Sequence, residues 1–104
     1  MKKDVALAKK IVTEDVTDQL AEFSYSDGHR FTFVMLTHEK NIGIGMSECS
    51  PYDVYNDQVG YDEAWDRAFV SFARDYKRTH KREASRFRQA FEKFRLALAK
   101  AAQI

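Results

Sequence analysis

Two apolar stripes at helical spacing constrain this chain more than anything else in it. Trp65, Ala68, Phe69, Phe72, Ala73 and Tyr76 fall at i, i+3, i+4, i+7, i+8 and i+11, which lines them along one face of a 3.6-residue helix. Phe87, Ala90, Phe91, Phe94 and Leu98 repeat the pattern. Continued through His80 and Glu83 or Ala84, the phase of the first stripe arrives at Phe87, so both fit one rod over 61–101. The segment from Lys77 to Arg86 has no large apolar residue on that line. It either crosses solvent as a bare helix or breaks near Thr79, which suits a new cap but has Arg82 rather than Glu or Gln at N3. One helix of about 40 residues is about 60 Å long, more than a single small domain covers, so its far end needs another surface.

Upstream the periodicity changes. Residues 1–18 carry a weak helical pattern in Val5, Ala8, Ile11 and Val12 and predict a short or frayed helix. From Gln19, Ala21, Phe23 and Tyr25 alternate with polar residues as in a half-exposed strand, and Asp27-Gly28 suits a tight hairpin turn. Arg30 to Thr37 reads as its partner strand, with Phe31, Phe33 and Met35 on one face. After a polar turn over 38–41, Ile42, Ile44 and Met46 alternate with Gly43, Gly45 and Ser47. The glycines leave one side of this third strand bare, for a closely packed helix or a bulge. Ser50-Pro51-Tyr52-Asp53 has the form of a capped helix start, which predicts a short helix through Asn56 that ends at Gly60. The whole reads as one α+β domain: a three-stranded antiparallel meander over 19–49, a loop with a short helix over 50–60, and one long or two tandem helices over 61–101.

With 44% hydrophobic residues, eight Phe, five Tyr and one Trp, the chain is globular rather than disordered. No apolar run approaches a membrane span and no secretory leader is visible, which predicts a cytoplasmic protein. The single cysteine, Cys49, agrees with a reducing compartment. A net charge of +1 hides an asymmetry: residues 1–58 hold six Lys or Arg against ten Asp or Glu, and residues 59–104 hold eleven against six. Such a split serves head-to-tail self-association, a nucleic-acid face, an acidic protein partner, or simply solubility.

The run Gly43-x-Gly45-x-x-x-x-Cys49-Ser50-Pro51-x-Asp53, then Gly60, Ala64 and Arg67-Ala68, resembles small uncharacterised proteins of tailed bacteriophages. Many small phage proteins bind and disable a host system, restriction or CRISPR machinery included, so the resemblance implies an inhibitory binding role in the host cytoplasm. A second likeness is to the double-stranded-RNA-binding domain, whose hairpin also leads through a glycine-containing strand into a C-terminal helix. That family places lysines at the helix start to grip phosphates, where this chain has Asp62-Glu63-Ala64-Trp65-Asp66. The likeness therefore concerns the fold.

Catalytic chemistry has little to build on. Cys49 could pair with His29, His38 or His80, but no spacing requires it. The close ligand pairs of a structural zinc site are absent. Asp53, Asp57, Asp62, Glu63 and Asp66 could hold a divalent cation, and helix capping and solvation account for them as well. No phosphate loop or dinucleotide pattern occurs. The sequence thus predicts a non-enzymatic binding protein with no cofactor and no metal. Arg74, Lys77, Arg78, Lys81, Arg82, Arg86 and Arg88 are the candidate contacts to a host protein or nucleoprotein complex. The alternative is sequence-blind binding of nucleic acid through the same residues. Phe87, Phe91, Phe94 and Leu98 are the candidate self-association stripe of a homodimer.

Overall fold

A computed structural model describes residues 2–102, apart from the side chains of residues 83 and 84. The link between the two stripes through Glu83 or Ala84 therefore lies outside the described side chains. The elements are α1 (Lys2–Ile11), α2 (Glu14–Asp18), β1 (Ala21–Ser26), β2 (Phe31–His38), β3 (Asn41–Glu48) and α3 (Asp57–Ala102). The strands form one antiparallel sheet in the order β1-β2-β3, as the meander predicts. Register places Phe23 opposite Met35 and Met35 opposite Ile44, with Tyr25, Phe33 and Met46 in the next row.

The expected N-terminal helix is two. α1 stops at Ile11, and Thr13 caps α2, its hydroxyl accepting the Val16 N–H at 3.4 Å. The expected short helix over 50–56 is a single turn, in which the Asp53 N–H donates to the Ser50 carbonyl. The long helix begins earlier than its first apolar residue suggests, because the Asn56 side-chain oxygen accepts from the N–H groups of Gln58 and Val59 at 3.0 and 3.1 Å. Gly60, read as a terminator, lies inside α3. It stands beside the sheet, where Ser47 donates to its carbonyl at 2.6 Å.

α3 is one helix of 46 residues, unbroken at Thr79. Its first half covers one face of the sheet. Phe69, Phe72, Leu36 and Val34 are the largest fully buried side chains, with Ala64, Ala68 and Ala73 beside them and Ala8 of α1 and Val12 just after it closing the core. Trp65 stacks on Phe69 with ring centroids 5.2 Å apart. The covered face is the one that carries Thr32, Val34, Leu36, Gly43, Gly45 and Ser47. Phe31, Phe33 and Met35 lie on the opposite face, which α3 leaves uncovered. The glycines decide this: a Cβ on Gly43 would stand 2.2 Å from the Ala68 carbonyl, and one on Gly45 would stand 2.1 Å from that of Ala64. Helix backbone rests directly on strand backbone there.

The same helix closes the β3 edge. Arg67 donates to the Met46 carbonyl at 2.6 Å, Ser71 accepts the Ile44 N–H at 3.3 Å, and Asp75 accepts the Ile42 N–H at 3.0 Å. These residues recur every four positions, and Thr79 continues the row by donating to Asn41 Oδ1 at 2.9 Å. Side chains of α3 thus satisfy edge groups that would otherwise invite another strand.

Two local contacts carry pH dependence. In the β1–β2 loop the Asp27 carboxylate accepts from the N–H groups of Arg30, Phe31 and His29, which holds its pKa below the usual range. Tyr61 donates to the Glu22 carboxylate. That bond, with some desolvation and the nearby negative charge, pushes the phenol up to about 12. A raised phenol pKa stabilises the fold below the unfolded value of about 10 and loses that contribution as pH climbs towards 12. Tyr61→Phe is therefore expected to melt lower than wild type at pH 8, with the gap closing between about pH 10 and 12. Thermal melts across that range check it, and a gap that stays constant would show that the contact does not form.

Candidate functional site

Beyond Thr79 the helix leaves the folded head. From His80 to Ala102 every described side chain is exposed. The principal extents are 78 × 24 × 21 Å and the radius of gyration is 20.5 Å, against roughly 13 Å for a compact chain of about 100 residues. The difference is this projecting tail. His80 closes the head side of it, its ring 3.9 Å from that of Tyr76 and its Nδ1 3.0 Å from the Tyr76 carbonyl.

All seven predicted basic contacts are exposed on α3. Arg74, Arg78, Arg82 and Arg86 recur every four residues and form one ridge that winds slowly round the helix. Lys77, Lys81 and Arg88 form a second, continued by Arg95, which pairs with Glu92 at 3.0 Å. Between the ridges runs the predicted self-association stripe: Phe87, Phe91, Phe94 and Leu98 are 73, 56, 63 and 56% exposed. The positive part of the charge split is concentrated in the tail. Residues 1–79 hold ten Lys or Arg against fourteen Asp or Glu, while residues 80–104 hold seven against two.

The other candidates stay apart. Cys49 is half-buried just after β3, its Sγ 3.5 and 3.7 Å from the carbonyls of Ser50 and Asp53. His29 lines the same shallow depression but makes no hydrogen bond to the thiol among the described contacts. His38 sits 3.2 Å from Gln19 Oε1, on another part of the molecule. A neighbouring cleft of about 350 Å³ lies between Arg30, Glu48, Cys49, Asp53, Tyr55 and Glu63. The Tyr55 hydroxyl is 2.5 Å from Ser26 Oγ, which ties the loop to the hairpin. Asp62 is engaged by Gln58 at 2.8 Å, and among the described residues no three His, Cys, Asp or Glu side chains converge as a metal site would need. No described helix is long and apolar enough to cross a membrane.

One surface went unrecognised as a site in the sequence. The sheet face turned away from α3 carries Phe23, Tyr25, Phe33, Ile42, Ile44 and Met46, all exposed. The signal for it was the unequal alternation of β3: a glycine side that admits the helix implies that the large side is the outer one. The residues of the Gly-x-Gly and Arg-Ala motif meet at that junction and build the fold. Comparison with known proteins gives no match to a family model, to a curated protein or to a solved structure.

Proposed function

We propose that the protein is a non-enzymatic binding protein that inhibits a nucleic-acid-handling or defence system of a host cell, through protein–protein contact made by the basic ridges of the α3 tail. The phage and host setting comes from the resemblance over residues 42–68. The observation that supports binding through the tail is the exposed, basic, amphipathic half-helix that the head does not use. Four arginines and three phenylalanines lie between His80 and Ala102, residue types enriched at protein interfaces. The acidic head, with Asp62 and Glu63 exposed in the first turns of α3, opposes a nucleic acid laid along the helix and favours a protein partner over free nucleic acid.

Two measurements together test this. In capture from a bacterial lysate, a protein partner is expected to remain after nuclease treatment, and changing Arg78, Arg82 and Arg86 to alanine is expected to cut its recovery at least about tenfold. Titration onto random duplex DNA is expected to show no saturable binding at micromolar protein near physiological salt. Tight binding to purified DNA or RNA that falls steeply with salt, with the partner lost on nuclease treatment, would establish the direct nucleic-acid reading instead.

A further inference from the structure

Among the described residues two apolar surfaces lie open, and they differ in charge. The open sheet face presents Phe23, Met35 and Ile44 in one row and Tyr25, Phe33 and Met46 in the next, with no charged side chain in either. Its rim carries Asp27 in one turn, Glu39 and Lys40 in the other, and the Glu48–Arg30 pair at the end of β3. The tail presents Phe87, Phe91, Phe94 and Leu98 between two basic ridges. Because α3 runs unbroken from the head, its tail points away from its own sheet and cannot cover it.

We propose that the open sheet face seats the α3 tail of a second copy of this chain. Charge selects this pairing over the alternatives. Packing tail on tail brings two segments of seven Lys or Arg against two Glu together, a like-charge contact that opposes association. Packing sheet on sheet leaves both aromatic stripes in water. Tail on sheet covers both apolar surfaces and places the basic ridges beside an acidic head. The lengths agree as well: the stripe from Phe87 to Leu98 spans about 16 Å of helix, and the sheet face, with the further row of Ala21, Thr37 and Ile42, extends over about 13 to 20 Å. Aromatic and aliphatic side chains this exposed bury on the order of 1,000 Å² per seat, and two reciprocal seats, which close a dimer, reach the size of a stable interface. The seat uses the apolar stripe and the partner proposed above uses the ridge of Arg78, Arg82 and Arg86, so the cross-links below are read in the absence of that partner.

Cross-linking through single cysteines tests the seat on the full-length chain. In a Cys49→Ser background, Phe33→Cys and Phe91→Cys proteins, one isotopically labelled, are mixed and treated with a short bismaleimide. The expected result is links between positions 33 and 91 of different copies, with light scattering giving twice the monomer mass at micromolar concentration. Both positions are exposed in the isolated chain, and circular dichroism checks that each variant folds. As a second measure, Ile44→Glu and Phe91→Glu are each expected to weaken association at least tenfold while leaving the far-ultraviolet spectrum unchanged. Links between two copies of position 91 would show tail on tail, and links between two copies of position 33 would show face on face. Either result, a dimer without 33–91 links, or a monomer, overturns the proposal.

Discussion

Replacing Gly45 by alanine lowers the stability of the fold by about 3 kcal/mol or more, and the Gly43→Ala, Gly45→Ala double variant does not fold at room temperature. The Cβ added at position 45 would stand 2.1 Å from the Ala64 carbonyl and 2.3 Å from the Ala68 N–H nitrogen; the one added at position 43 would meet the Ala68 carbonyl at 2.2 Å. All these atoms are backbone, so no side chain can rotate away. The helix itself must lift from β3. Lifting it pulls Arg67, Ser71 and Asp75 from the edge of the strand and breaks their hydrogen bonds to its backbone. Gly60→Ala is the control. Its nearest neighbour would be the Thr32 hydroxyl at 3.0 Å, a side-chain atom, and alanine gains helix propensity of about 1 kcal/mol. Urea denaturation of the three single variants is expected to rank Gly60→Ala nearest wild type. Equal midpoints for Gly45→Ala and wild type would mean that helix and strand are not in direct contact.

Phe72→Ala and Phe69→Ala each cost about 3 to 5 kcal/mol, because both side chains are fully buried and the backbone contact around the glycines leaves no freedom to collapse onto the cavity. Phe91→Ala, by contrast, changes the stability of the fold by less than about 0.5 kcal/mol, since its ring is 56% exposed on the projecting tail. Chemical denaturation at nanomolar protein, where association is suppressed, separates the two groups of phenylalanines. The stripes are alike in sequence and differ only in what lies opposite them.

That likeness marks how far the sequence could be read. The meander, the α+β class and the core face of the first stripe followed from period-two and period-3.6 patterns, which report which side of an element is apolar. They do not report what covers it. β2 is apolar on both sides, with Phe31, Phe33 and Met35 opposing Val34 and Leu36, so only the glycines of β3 could choose the buried face. Ser50-Pro51 has the composition of a helix start, yet the loop it opens makes one turn and Asn56 makes the cap, because Tyr55 is tied to Ser26 and Thr32 across the hairpin. Thr79 resembles a cap in sequence. In the fold it donates to Asn41, a residue 38 positions earlier, and the helix passes through. Of the candidate site, the basic ridges and the Phe87 stripe were legible as helical faces. The open sheet face became a surface only once α3 had taken the other side.

The central claim is that α3 builds the head with its first half and carries its second half clear of it. The distance between positions 33 and 91 within one molecule measures this directly, with spin labels on both, Cys49 replaced by serine, and a large excess of unlabelled protein to remove contributions between copies. Arg67 lies beside Met46, across the sheet from Phe33, and the 24 helical residues from there to Phe91 set a separation of about 36 Å or more. A distribution centred at or beyond that distance is the predicted result. A population below about 20 Å would show the tail folded back onto its own sheet as a helical hairpin, and would contradict the account.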